Sequence, residues 1–247
     1  IPFGLEGSVS YGGGTAKGPS AMIEASHQVE LFDEDLWREP FRDFGIVTMR
    51  EKPVDGRDIK AAIDDLAALT GKALGDNKFP LVFGGEHSIT PGAIRPFLTQ
   101  YDDGYDGEHY SHAAAIRRVL DHPTVPIVSV GIRNISAEEI PFLDANSHRI
   151  TIHWGKDRES WRVEEIVAPL KDRPIYLTFD LDGFDGSVMP ATGTPEPGGL
   201  FWNDAIKIIK AASSAGKIVG ADINLFFEVN QPHFAGKTTN YSECTGA

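Results

Sequence analysis

Short apolar runs alternate with segments of helical periodicity along most of the chain. Each run is bounded by turn residues and predicts a strand, at residues 44–48, 79–83, 126–130, 149–154, 174–182 and 217–223. Apolar residues three and four positions apart predict helices at residues 59–75, 88–100, 111–120, 161–170 and 202–215. Strands that alternate with helices predict an α/β fold, with a mostly parallel central sheet covered on both faces.

The alternation breaks once, between the predicted helices at 88–100 and 111–120. The connecting residues 101–110 contain no apolar run that could form a buried strand, so the pattern predicts that one strand of the sheet is missing here. No linker or internal repeat divides residues 1–224, which we expect to form one α/β domain. Residues 225–247 show no helical pattern, and we expect an atypical tail for which disorder is left open.

The composition narrows the classes of partner. The 247 residues carry 23 Lys and Arg against 36 Asp and Glu, a formal charge of −13, which argues against a nucleic-acid partner and suits a small cationic substrate. Solubility alone also accounts for many acidic proteins. No apolar run approaches the roughly 20 residues that span a bilayer, so we expect no membrane segment.

The cysteine content and the start of the chain bear on the compartment. One cysteine, Cys244, excludes a disulfide framework and suits a reducing compartment. No signal peptide is recognisable, so we expect a cytoplasmic protein. Because the sequence begins at Ile1 without a methionine, we expect a processed chain or an incomplete copy of a longer protein.

Candidate chemistry follows two of the predicted strands, where ligands bind in open parallel sheets. His87 lies in a Gly-Gly-Glu-His-Ser turn; the alternative is a helix-capping loop in which Ser88 is the cap and His87 is exposed only incidentally. Asp180 and Asp182 end the strand at 174–182, and strand alternation would put both carboxylates on one side. Two adjacent acids repel unless a cation lies between them or one is protonated, and imidazole with carboxylates favours manganese over calcium. The alternative is that one aspartate only begins a turn.

Three further segments contain residue types that could take part in chemistry. His112 follows an acidic loop and is a candidate for proton transfer, with His109 as the competing residue. The Gly-Thr-Pro-Glu-Pro-Gly-Gly segment at 193–199 predicts a rigid lip beside the site, although a plain turn also fits. The glycine cluster at 12–18 lacks the Gly-Lys-Ser/Thr ending of a phosphate loop, which argues against nucleotide binding.

Five motifs together resemble those of the ureohydrolases, the arginase and agmatinase family. The resemblance covers residues 1–224, is closest to agmatinases around residues 110–118, and rests on segments 84–88, 110–112, 130–133, 179–182 and 193–199. It implies a three-layer α/β/α fold, here lacking one strand, and a homo-oligomer. It also implies two manganese ions and a small cationic guanidino substrate, with agmatine hydrolysed to urea and putrescine.

The resemblance also implies roles for individual residues. His87 would bind one manganese, Asp180 would bridge the two ions, and Asp182 would bind the second. A hydroxide held between the ions would attack the guanidinium carbon, and His112 would protonate the departing amine.

Two departures from the family pattern are visible. The Asp-Ala-His-x-Asp motif, which supplies the remaining metal ligands in the family, is absent where the strand is missing. The site could therefore bind one manganese ion or none instead of two, and we expect little or no turnover. Leu225 stands where the family carries a substrate-contacting glutamate, which makes Glu228 the substrate-binding candidate. The alternative function is a catalytically impaired relative that acts as a binding or subunit-partner protein. An amide deacetylase is more distant, because the lip at 193–199 argues against it.

Overall fold

Every pair of neighbouring strands is parallel in the computed structural model, which describes residues 1–8, 13–54, 58–101 and 115–224. In chain order the strands are β1 (Pro2–Phe3), β2 (Leu81–Gly84), β3 (Ile127–Ile132), β4 (Ile150–Trp154), β5 (Pro174–Asp180) and β6 (Lys217–Asn224). They form a four-stranded sheet in the order β1-β2-β6-β5 and a two-stranded sheet of β3 and β4. The predicted α/β class with a mostly parallel sheet is confirmed.

The helices fill the connections between the strands. In chain order they are α1 (Gly18–Ser26), α2 (Ile59–Gly75), α3 (Thr90–Tyr101), α4 (Ala115–Val119), α5 (Ile140–Ala145), α6 (Val163–Val167) and α7 (Trp202–Ala215). The bounds of α2 and α7 match the prediction, and α2 begins where the Asp58 carboxylate accepts a hydrogen bond from the backbone N–H of Ala61. The helix expected at 161–170 is shorter, because a 3-10 turn (Ala168–Leu170) follows α6. Among the described residues, no helix is long and apolar enough to cross a membrane.

The predicted strand at residues 44–48 is wrong. These residues lie outside every strand, and the side chains of Ile46 and Val47 are 83% and 86% exposed. A strand forms only by pairing, and the short edge strand β1 is paired only with β2 in the described ranges. Within the described ranges, residues 44–48 pair with no strand, so the apolar pattern alone did not make them part of a sheet.

The two sheets meet near the carboxyl ends of β5 and β3. Arg133, which follows β3, donates hydrogen bonds to the carbonyl oxygens of Asp182 and Gly183, which follow β5. Within the described ranges, no strand pairs with either β5 or β3 in the space between the sheets. Residues 102–114 lie outside the described part of the chain, so the missing strand stays a prediction, as do the expectations for residues 225–247.

Two apolar clusters support the turns at the carboxyl edge. One contains Phe3, Leu5 and Ile89, all buried, and lies under the turn after β2. The other contains Leu181 and Phe184, also buried, and lies under the turn after β5. The two turns that carry the candidate chemistry are thus each anchored on packed side chains.

Candidate active site at the carboxyl edge of the sheet

The turn that carries His87 requires its glycines and is tied to the segment after β1. A Cβ on Gly85 would lie 2.1 Å from the carbonyl oxygen of Leu5, so the backbones can approach only because no side chain intervenes. Glu86 is fully buried, and one of its carboxylate oxygens accepts hydrogen bonds from the N–H groups of Gly7 (2.9 Å) and Ser8 (2.6 Å). These contacts fix the backbone directly before His87.

His87 and Asp180 are in direct contact, although their positions in the sequence differ by 93. Nδ1 of His87 lies 2.9 Å from Oδ2 of Asp180, and the two side chains are only 15% and 20% exposed. Burial alone would lower the pKa of His87, but the charge and hydrogen bond of Asp180, together with the charges of Asp222 and Asp182, outweigh it and raise the pKa to about 9. The structure therefore brings two of the predicted residues together, and the alternative of an incidentally exposed histidine is wrong.

Asp182 reaches the same site by a different route from the one predicted. The strand ends at Asp180, and Asp182 lies in a 3-10 turn (Leu181–Gly183), where its N–H donates to Oδ1 of Asp180 over 3.1 Å. The strand-alternation argument was thus wrong, since the chain turns before Asp182. The two acids are nevertheless close: burial and then the charge of Asp180 hold the pKa of Asp182 well above its usual range.

A buried polar network continues from His87 into the sheet. Nε2 of His87 lies 2.9 Å from Oγ1 of Thr178, and the Thr178 hydroxyl donates to Oδ1 of Asp222 over 2.8 Å. The Tyr176 hydroxyl donates to Oδ2 of the same carboxylate over 2.9 Å. Asp222 is fully buried, and burial raises its pKa, although the charge of His87 and the hydrogen bonds oppose this shift.

Sequence reasoning missed this network, although a signal was present. Tyr176, Thr178 and Asp180 alternate with apolar residues along β5, and Asp222 and Asn224 alternate along β6. Polar residues at every second position of a strand share one face. In an otherwise apolar strand, that pattern indicates a polar face which must be satisfied by partners.

The lip at residues 193–199 lies beside the turn after β5, as predicted. The Thr194 hydroxyl donates to Oδ2 of Asp182 over 3.3 Å, and the N–H of Gly198 donates to Oδ2 of Asp185 over 2.7 Å. The Asn134 amide donates to both carboxylate oxygens of Glu196, over 2.9 and 2.7 Å. The lip is therefore attached to both sheets, through the residues that follow β3 and β5.

The donor chemistry of the site suits a cation, but the residues that the structure describes supply only part of a donor set. An imidazole nitrogen and carboxylate oxygens are ligands that manganese accepts, and two close acids favour a positive charge between them. Within the described ranges, however, no group of three or more His, Cys, Asp or Glu residues is arranged to hold a metal ion. His112, His109 and Glu228 lie outside the described residues, so their predicted roles are untested.

Comparison with known proteins places this geometry in a family. The chain is 34% identical to the N(1)-aminopropylagmatine ureohydrolase of Synechocystis sp. over 90% of its own length and 79% of that protein. It is 29% identical to the agmatinase of Pyrococcus horikoshii, over 90% of the chain and 80% of the relative. The crystal structure of the agmatine ureohydrolase of Thermoplasma volcanium matches with a TM-score of 0.78 and 27% identity, over 94% of this chain and 82% of the other. The arginase family model matches residues 1–241, and the chain therefore belongs to the arginase family, as the motifs suggested, and has the arginase-like α/β fold.

Proposed function

We propose that this chain is built to hydrolyse a C–N bond of a small cationic guanidino compound at the carboxyl edge of its sheet. The single observation that supports this proposal most strongly is the 2.9 Å contact between His87 and Asp180, at the place where α/β folds bind ligands. Membership of the arginase family supports the same reaction class.

Agmatine is the proposed substrate, with urea and putrescine as products. The formal charge of −13 favours the approach of a cation, and several relatives are named agmatinases. An aminopropyl derivative of agmatine is the second candidate, because the relative at 34% identity is named for that substrate. Both reactions add one water to the guanidinium carbon and release urea with an amine.

We propose that His87, Asp180 and Asp182 hold manganese in this reaction. Manganese would supply the positive charge that acidifies a water molecule and polarises the guanidinium group. The protein's own contribution begins with His87, whose ring is fixed between Asp180 on one side and Thr178 on the other. His112 is the proposed proton donor to the departing amine nitrogen, and Glu228 is the proposed contact for the guanidinium group.

Urea release measured with agmatine, N(1)-aminopropylagmatine, arginine and 4-guanidinobutyrate in added manganese tests the proposal. The unaltered chain is expected to show little or no turnover, because its sequence lacks the Asp-Ala-His-x-Asp motif and its described residues include no complete ligand set. Insertion of a strand that ends in Asp-Ala-His-Ala-Asp between Asp103 and Gly104 is expected to restore urea release. A folded but inert repaired chain with all four substrates would contradict the proposal.

Matched variants of the repaired chain show which residues carry the activity. An insertion of the same length that ends in Asn-Ala-Asn-Ala-Asn controls for the added strand and is expected to be inactive. Asp180→Asn is expected to abolish activity, whereas Asp185→Asn is expected to retain most of it, because the half-buried Asp185 carboxylate accepts hydrogen bonds from Ser187 and Gly198 rather than from His87. Equal activity of the two aspartate variants would argue against the proposed site.

A catalytically impaired relative is the second candidate function. The observation that favours it is the incomplete donor set of the described residues. A chain that binds a cation but stays inactive after the repair would support this second function. We propose in either case a homo-oligomer in the cytoplasm, which gel filtration with light scattering and localisation of a tagged chain would test.

A further inference from the structure

Asp222 is joined to His87 only through the Thr178 hydroxyl in the buried polar network, yet its carboxylate accepts more hydrogen bonds than any other group of that network. Its Oδ1 accepts hydrogen bonds from the hydroxyls of Thr178 (2.8 Å) and Thr90 (3.1 Å) and from the amide of Asn224. Its Oδ2 accepts from the Tyr176 hydroxyl over 2.9 Å. Because all four neighbours present a donor, the carboxylate acts as an acceptor throughout.

The direction of these bonds determines which nitrogen of His87 carries hydrogen toward the sheet. A hydroxyl has one hydrogen, and the Thr178 hydroxyl donates it to Asp222. Thr178 must therefore accept at its oxygen, so Nε2 of His87 donates its N–H over the observed 2.9 Å. Nδ1 is left facing Asp180, on the side where the candidate site lies.

We infer that Asp222 is a positioning residue, which acts through Thr178 to fix the orientation and the hydrogen-bonded nitrogen of His87. The inference deepens the proposed function and rests on it, since it names Nδ1 as the nitrogen offered to the cation. Thr178 and Asp222 are paired neighbours on β5 and β6, so the strand register brings them together. We call the hydrogen bonds that run from Asp222 through Thr178 to His87 the relay. Histidine ligands are commonly oriented in this way by a partner on the second ring nitrogen.

Two substitutions separate the relay from the rest of the network. Thr178→Val removes the hydroxyl that joins His87 to Asp222, and Thr178→Ser keeps it. Tyr176→Phe is the matched control, because it removes one hydrogen bond of nearly equal length to the same carboxylate but leaves the path to His87 intact.

The first readout needs no metal. In the imidazole-labelled, metal-free protein, the Nε2–H of His87 is expected to exchange slowly with solvent in long-range ¹H–¹⁵N spectra and to show a contact with Thr178. This signal is expected to persist in Thr178→Ser and Tyr176→Phe and to be lost in Thr178→Val. Slow exchange of Nε2–H that persists in folded Thr178→Val would overturn the inference.

The second readout is the dissociation constant for Mn²⁺, measured by the electron paramagnetic resonance of the free ion. Thr178→Val is expected to weaken binding by about 10- to 100-fold, whereas Thr178→Ser and Tyr176→Phe are expected to stay within a few-fold. Asp222→Asn is expected to weaken binding in the unaltered chain but not further in Thr178→Val. The relay would be overturned if Asp222→Asn weakened Mn²⁺ binding equally in the unaltered chain and in Thr178→Val. It would also be overturned if Tyr176→Phe weakened Mn²⁺ binding as much as Thr178→Val does.

The two readouts distinguish failure of the inference from failure of the proposed function. If the unaltered chain binds no Mn²⁺ but the Nε2–H signal depends on Thr178, the relay is upheld and the manganese site is refuted. If Mn²⁺ binds tightly and Thr178→Val changes neither readout, the site is upheld and the relay is refuted.

Discussion

Replacement of Gly85 by alanine is a sharp test of how the His87 turn is built. The new Cβ would lie 2.1 Å from the Leu5 carbonyl oxygen, whereas ordinary contact begins at 3.4 Å. The obstacle is backbone rather than a movable side chain, so either the turn or the segment after β1 must shift by about 1 Å.

The cost follows from the bonds that this shift disturbs. The Leu5 carbonyl accepts from the N–H of Glu86 over 2.8 Å, and the N–H of Gly85 donates to Phe3 over 3.1 Å. Weakening these two bonds costs about 0.5–1.5 kcal/mol each, and overpacking adds about 1–3 kcal/mol. We expect the free energy of unfolding to fall by about 3 kcal/mol, which is roughly 6–12 °C in Tm for a chain of this size.

Urea denaturation followed by circular dichroism measures this loss, with Gly75→Ala as the matched control. Gly75 ends α2, and a Cβ there would meet nothing within 4 Å, so alanine is expected to raise stability by about 0.5–1 kcal/mol. A loss below about 1 kcal/mol for Gly85→Ala, or equal losses in both variants, would refute the steric argument.

Two further predictions concern titration and packing. The hydroxyl and then the backbone N–H of Ser187 lower the pKa of Asp185 to about 2, so its charged form stabilises the fold above about pH 4, and that stabilisation is lost as pH falls toward 2. A ¹³C titration is expected to show the pKa of Asp185 moving toward 3.8 in Ser187→Ala. The pKa is expected to stay unchanged in Ser213→Ala, because the Ser213 hydroxyl in α7 donates to the Lys210 carbonyl instead. An unmoved midpoint in Ser187→Ala would count against the hydrogen bond. Leu66→Ala is expected to cost about 2–5 kcal/mol in urea denaturation because Leu66 is fully buried, whereas Leu31→Ala, at a side chain 61% exposed, is expected to cost less than about 0.5 kcal/mol; similar costs would contradict the assigned core.

Local signals were sufficient for the elements and for part of the site. The periodicity of α2 and its Asp58 cap lie within one stretch of sequence, as does the Gly-Gly-Glu-His-Ser turn, so their positions could be read directly. The rule that ligands bind beyond parallel strands then brought His87 and Asp180 to the same edge. The family motifs agreed with this placement.

The features that were missed depend on long-range pairing. The sequence does not state that β6 lies between β2 and β5, so the contact between Thr178 and Asp222 could not be derived from either strand alone. Residues 44–48 have the pattern of a strand but pair with no strand in the part of the chain that the structure describes, and Asp182 lies outside β5 because the chain turns after Asp180. In each case the deciding interaction lies far away in sequence or in a backbone turn that residue types do not specify.

Counting the Mn²⁺ ions bound by the unaltered chain, by electron paramagnetic resonance, tests the central claim most directly. We expect one ion per chain, lost in Asp180→Asn and retained in Asp185→Asn. Absence of binding, or binding that Asp180→Asn leaves unchanged, would contradict the claim that His87 and the acids after β5 form a cation site.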